Sequence, residues 1–127
     1  MNIVEGLRYS KEHEWVRIDG GKAYVGITDY AQHNLGEIVY IELPEAGAKL
    51  SAGDVLSAVD SVKAATDVYT PVSGKVESVN EALGESPDRI NSEPYESWIA
   101  VISMDDASEA DALMDTQAYE EFCKSEE

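Results

Sequence analysis

The chain of 127 residues is the size of one compact domain, and its 43% hydrophobic content is enough for a core, which excludes a disordered tail. Its 9 Lys+Arg against 26 Asp+Glu give a formal net charge of -17, a field that repels nucleic acid and anionic lipid alike. A single cysteine, Cys123, excludes an intrachain disulfide and any zinc site built on several thiolates, and it suits a reducing compartment.

In chain order, residues 1–15 carry Glu5, Arg8, Lys11, Glu12 and Glu14 with no apolar run between them, so no secretory signal is read there, and nowhere does the chain approach a membrane span. A soluble, cytosolic and bacterial protein is expected. Trp15–Ile18 and Ala23–Ile27 alternate on either side of Asp19-Gly20-Gly21-Lys22, which predicts a hairpin. Thr28 is placed to cap a short helix that Gly36 closes, and the β-branched and aromatic run Ile38–Leu43 predicts a strand ended by Pro44. Val55–Val59, Val68–Tyr69, Lys75–Val79 and Trp98–Met104 are further short strands. So many short strands with turn residues between them point to a sandwich or barrel. The runs beginning Gly36-Glu37-Ile38 and Gly74-Lys75-Val76 form a weak internal echo, as two halves related by a pseudo-two-fold would. From Asp105 to Glu127 nine carboxylates face Lys124 alone. Here the spacing of Leu113, Met114, Ala118, Tyr119, Phe122 and Cys123 predicts a helix over about 108–123, with Ser108 as its cap and Cys123 packed on the apolar stripe. The acid on it serves solubility or docking to basic surfaces. His13 and His33 stand on different elements without partners at ligand spacing, so no metal is expected.

The most informative stretch is Gly53–Val76, GDVLSAVDSVKAATDVYTPVSGKV. The apolar pairs Val59/Val68 and Leu56/Pro71 both centre between Lys63 and Ala64, so a hairpin folded there presents Lys63 at its tip. Neither central residue is Gly or Asn, which disfavours a primed turn and predicts a type I turn or a slightly longer loop. Three readings follow. Lys63 is a solvated surface lysine; or Ser61 and Lys63 are nucleophile and base, which demands a desolvation that an exposed tip does not supply; or the hairpin offers one amine to a modifying enzyme and then carries a cofactor on a flexible stem.

At these residues the sequence resembles the H-protein family of the glycine cleavage system. DSVKAATD and YTPVSGKV look like that family's lipoyl-lysine hairpin. KEHEW at Lys11–Trp15, VGIT, YAQ and LGE between Val25 and Glu37, ELPE and the glycine after it at Glu42–Gly47, VN at Val79–Asn80 and INSEPY at Ile90–Tyr95 follow its pattern in order across essentially the whole chain. The resemblance implies a single domain over 1–127. That domain is a mainly β barrel-sandwich hybrid with short helices and a C-terminal helix, monomeric, with lipoate amide-linked to Lys63. It implies a non-catalytic carrier that takes an aminomethyl group from PLP-dependent glycine decarboxylase, passes it to the tetrahydrofolate-dependent aminomethyltransferase and is reoxidised by dihydrolipoyl dehydrogenase. A lipoate ligase or a lipoyl or octanoyl transferase would attach the group, reading Asp60, Ser61, Val62 and Ala64 around the lysine. The loaded arm ends in an amine protonated near neutral pH, so Glu14 and Asp67, with Glu12 as a third, are the carboxylates expected to receive it. Two departures from the family's pattern stand out. Position 60 is Asp where Glu is usual, and PYESW at Pro94–Trp98 is a shorter turn without glycine. A biotinyl domain would set methionines beside the lysine, where this chain has Val62 and Ala64, and a lipoyl domain of a 2-oxo acid dehydrogenase would bring an Ala/Pro-rich linker. A paralogue that relays lipoate outside glycine cleavage stays open.

Overall fold

The computed structural model describes residues 2–126. Among these residues nine strands form two facing antiparallel sheets. They are β1 (Arg8–Tyr9), β2 (Glu14–Asp19), β3 (Lys22–Ile27), β4 (Ile38–Glu42), β5 (Lys49–Leu50), β6 (Val55–Ser61), β7 (Ala65–Tyr69), β8 (Gly74–Val79) and β9 (Ala100–Met104). The larger sheet runs β1-β2-β3-β9-β8-β5 and the smaller β4-β6-β7. Val16, Val25 and Ile102 from one and Ile41, Val59 and Val68 from the other share one buried core. The expected mainly β fold with attached helices is thus what forms, as two open sheets and not a closed barrel. Among the described residues no helix is long and apolar enough to cross a membrane.

The hairpin at Asp19–Lys22 forms as expected: those two residues pair, and Gly20 takes φ 63° in the two-residue loop. Helix α1 (Asp29–Leu35) starts under Thr28, whose hydroxyl accepts the Ala31 N–H, and stops at Gly36, whose φ of 78° no β-carbon-bearing residue adopts cheaply. Gly26 has a different reason to be glycine, since a β-carbon there would stand 2.7 Å from the Trp15 indole.

Two helical turns, α2 (Ala82–Glu85) and α3 (Arg89–Ser92), fill the long connection between β8 and β9. The shortened Pro94–Trp98 segment closes as a turn without glycine. The Pro94 carbonyl accepts the Trp15 indole N–H at 3.0 Å, and the Tyr95 hydroxyl donates to the Asn2 carbonyl at 2.7 Å.

The C-terminal helix is not continuous over 108–123. It splits into α4 (Ser108–Asp111) and α5 (Thr116–Glu126), because Met114 leaves helical geometry to exchange two backbone hydrogen bonds with Tyr9, each 2.9 Å. Ser108 is inside α4 and turns its hydroxyl to Asp106, while Asp115 caps α5 through the Ala118 N–H. Cys123 is buried with Tyr9, Trp15 and Tyr119, as its place on the apolar stripe implied. His13, at φ 67° the one non-glycine residue with positive φ among the described residues, stacks on Tyr30 and reaches Glu126 and the Tyr119 hydroxyl, pinning α5 to the entry of β2.

Candidate functional site

The β6–β7 hairpin extends from Gly53 to Thr70, its base closed by the Gly53 N–H donating to the Thr70 carbonyl and the Thr70 N–H donating to the Asp54 carbonyl. Gly74–Val76 belongs instead to β8 in the other sheet, so the expected span of 53–76 is too long at its far end. The ladder pairs Val59 with Thr66 and Asp60 with Ala65, which centres the turn on Val62 and Lys63. The centre expected between Lys63 and Ala64 is displaced by one residue. Val59 and Val68 both face the core but meet diagonally, with Ser57 opposite Val68. Neither central residue has positive φ, as the absence of Gly and Asn required. Ser61 closes the turn: its N–H donates to the Ala64 carbonyl at 2.8 Å, and its Oγ accepts the N–H groups of Lys63 and Ala64, each at 3.1 Å.

Lys63 and Ala64 are exposed, and Val62 is 64% exposed. The lysine lies back across the C-terminal end of α1. Its Nζ donates to the Asn34 carbonyl at 3.3 Å, and its Cε and Cδ lie 3.6 and 3.7 Å from where a β-carbon on Gly36 would sit. A helix C-terminus is the favourable end for an ammonium. Ser61 Oγ is engaged by backbone at the turn while the amine is drawn to Asn34, an arrangement without the contact that a Ser61–Lys63 dyad needs.

Asn91 holds this platform together. Its Oδ1 accepts the Ile38 N–H at 2.8 Å, and its Nδ2 donates to Gln32 Oε1 at 2.9 Å and to the Gly36 carbonyl at 2.8 Å. It thereby ties α3 to the end of α1 and the start of β4, next to the Val62 N–H bond to the Glu37 carbonyl. Asn91→Ala strands the Ile38 donor and the Gly36 acceptor, so we expect a loss of about 2 kcal/mol in urea unfolding. An unchanged midpoint would mean that water replaces the side chain without cost.

The three acids expected to receive an amine are not brought into one cleft. Glu14 is 2% exposed; Oε1 accepts the Ser10 hydroxyl and Oε2 the Tyr69 N–H at 3.2 Å, so it latches the start of β2 to the end of β7. Burial pushes its carboxyl up to about 7 despite those two hydrogen bonds, and the nearby Glu12 charge adds to the rise. Glu12 is exposed on a separate groove with Ser10, Thr70 and Met114. Asp67 is exposed on β7 and shares a groove of about 420 Å³ with Glu42. Both flank Ala58 in one cross-strand row, their backbones about 10 Å apart. Glu42 went unread as a site residue, because only the β4–β6 register reveals it as a neighbour of Asp67. Asp60 lies on the same three-stranded sheet, paired between Tyr40 and Ala65. Val39 and Tyr40 beside it are 52% and 57% exposed, an apolar surface that alternation along β4 did not announce.

Comparison with known proteins adds an independent line. The family model described as glycine cleavage H-protein matches residues 7–126. The glycine cleavage system H protein of Thermoanaerobacter pseudethanolicus is 60% identical over 99% of this chain and 100% of its own. The mitochondrial glycine cleavage system H protein 2 of Arabidopsis thaliana is 52% identical over 98% of this chain and 81% of its own. A solved glycine cleavage system H protein from Mycobacterium marinum superimposes with a TM-score of 0.85 at 30% identity, covering 98% of both chains.

Proposed function

Because the chain belongs to the glycine cleavage H-protein family, we propose that Lys63 is the residue that bears its lipoyl group, and that the protein shuttles an aminomethyl group from glycine decarboxylase to the aminomethyltransferase before dihydrolipoyl dehydrogenase reoxidises it. Family membership makes the protein a lipoyl carrier, a subunit that performs no catalysis of its own. The single observation that supports Lys63 is its place at the tip of a hairpin whose turn is braced by Ser61 and whose flanking Val62 and Ala64 leave the amine open to an enzyme. Lys63 would hold lipoate through an amide at Nζ, and the group would supply a redox-active disulfide able to carry an aminomethyl group.

The protein's own residues present, orient and shelter. The ordered turn fixes where the stem leaves the surface, which lowers the entropy an acylating enzyme must remove when it grips the tip. Asp60, Ser61, Val62 and Ala64 are the surface that a lipoate ligase or transferase reads. Asp67, open to solvent beside Glu42, is the carboxylate best placed to meet a cargo ammonium. Glu14 serves that role only by exchanging its Ser10 or Tyr69 partner, and Glu12 only from the adjoining groove. The single buried cysteine suits a reducing, cytoplasmic setting.

The test is glycine–bicarbonate exchange with purified decarboxylase. Lipoylated protein supports it, and a relay paralogue does not. We also expect the exchange rate to fall about threefold or more as ionic strength rises from roughly 20 to 200 mM, since a chain of this charge is steered to basic patches on its partners. A rate indifferent to salt would leave the acid a solubility role alone.

A further inference from the structure

Strand β4 turns two consecutive large apolar side chains into solvent, where simple alternation would bury one of them. Ile38 and Ile41 are buried, but Val39 and Tyr40 between them are 52% and 57% exposed. The cause is a bulge. The β4–β6 register shifts between Ile38, opposite Ser61, and Tyr40, opposite Asp60, so Val39 is the extra residue without a ladder partner. At the same end of the hairpin stands Val62, 64% exposed, whose N–H donates to the Glu37 carbonyl just before β4. Among the described residues only Ile18 and Val55 are large hydrophobics of similar exposure, so three of these five gather beside Lys63. Resting on the assignment of Lys63 above, we propose that Val39, Tyr40 and Val62 form the docking surface for the enzyme that acylates this lysine.

Charge, size and distance select that occupant. Strands β4, β6 and β7 carry Glu42, Asp60 and Asp67 and no cation. A second copy of this face would set acid against acid around the apolar centre, so the partner is a different protein with basic residues at its rim. Three side chains are too few for a permanent interface, yet an exposed aromatic with two aliphatic neighbours is enough for the centre of a transient one. That suits an enzyme which must leave after a single transfer. Tyr40 lies opposite Asp60, three residues from Lys63 and about 10 Å away along the strand. Acylation joins the deprotonated Nζ to the carbonyl carbon of an activated lipoyl or octanoyl donor, expels the activating group and releases the proton. The amine itself has to enter that active site, so the walls of the enzyme close around the tip and come to rest on Val62, Val39 and Tyr40. Enzymes that act on the finished arm meet its far end and do not need this contact. The bulge therefore has a use, since it aims two side chains at the one partner that must approach this closely.

The test uses the unmodified full-length protein as acyl acceptor for a purified lipoate ligase with lipoate and ATP, and follows the adduct by intact mass and peptide mapping. The double variant Val39→Thr, Tyr40→Thr keeps strand propensity, and because both positions are exposed it keeps the fold, which urea unfolding verifies. The expected result is a KM for the acceptor raised about tenfold at unchanged kcat. Tyr40→Phe should restore the parental KM, and Ile18→Thr, exposed on the larger sheet, should alter neither constant. An unchanged KM in the folded double variant overturns the proposal and leaves Lys63 as the anchor. A fall in kcat alone also overturns it, since it would mean a disturbed tip and not a lost contact. A parent that sediments as a dimer, with the double variant monomeric, would give the face to a second copy and overturn it as well. No adduct on Lys63 in the parent takes down the anchor and the docking surface together.

Discussion

Lys63→Arg should abolish carriage outright: no lipoyl- or octanoyl-sized adduct in the intact mass, and no glycine–bicarbonate exchange above the protein-free background. The guanidinium keeps the cation and can still reach the Asn34 carbonyl, but it never loses its proton in water and cannot form the amide. The fold should not notice. The side chain is exposed, and its contacts are one long hydrogen bond and a methylene against Gly36, so stability should change by about 0.5 kcal/mol or less. That separation gives the experiment its force, because loss of the adduct in a protein with unaltered unfolding cannot be blamed on misfolding. An adduct that persists would move the attachment to another lysine and remove the hairpin tip from the mechanism. Ser61→Ala sharpens the same point. It strips the acceptor for two turn N–H groups and should slow modification by loosening the tip, yet leave the adduct reachable.

Local signals were readable where local chemistry decides the structure. Gly20-Gly21 between alternating strands, Thr28 at a helix start and Gly36 at its end each need a conformation or an acceptor that few other residues supply, and each does what its type implies. The hairpin register was misplaced for a physical reason. Sliding one strand by two residues keeps every side chain on its own face, so matching Val59 with Val68 satisfies the core as well as the true pairing with Thr66 does. What decides is the turn, where Ser61 finds two N–H groups only if Val62 and Lys63 are central. Long-range contacts were invisible for a different reason. The bridge from Met114 to Tyr9 breaks a helix whose own periodicity gives no sign of it. Likewise, β1 and β5, at two residues each, are too short to carry a period. The platform under the anchor shared that fate, since Asn91 meets Gln32, Gly36 and Ile38 only once the chain has folded. Lys63 itself stood out because its place at a hairpin tip is set by the local sequence, whereas a role for it was implied only by the family resemblance, the spacing alone leaving a solvated lysine open.

Glu14→Gln should stabilise the protein at alkaline pH and flatten its stability across the neutral range. In the folded state burial raises the carboxyl from 4.5 to about 7, so between those values the native protein holds a proton that the unfolded chain has released. Stability from this group is therefore fully present below pH 4.5, declines as pH rises through the window, and is gone above 7. The gap corresponds to about 3 kcal/mol. A glutamine in the same place stays neutral throughout, and its amide oxygen can still accept the Tyr69 N–H. At pH 8 the variant should melt roughly 10 °C higher than the parent, and at pH 4 the two should nearly coincide. Melts of both proteins across this range isolate Glu14, because every other titrating group is common to the pair. Curves that run parallel would mean the carboxyl titrates normally and its two hydrogen bonds repay its burial. The sign also bears on cargo. A cation drawn to Glu14 favours the ionised form, so any seat it offers a loaded arm must strengthen as pH climbs through 7, and Glu14→Gln must erase that strengthening while leaving the Asp67 groove as it was.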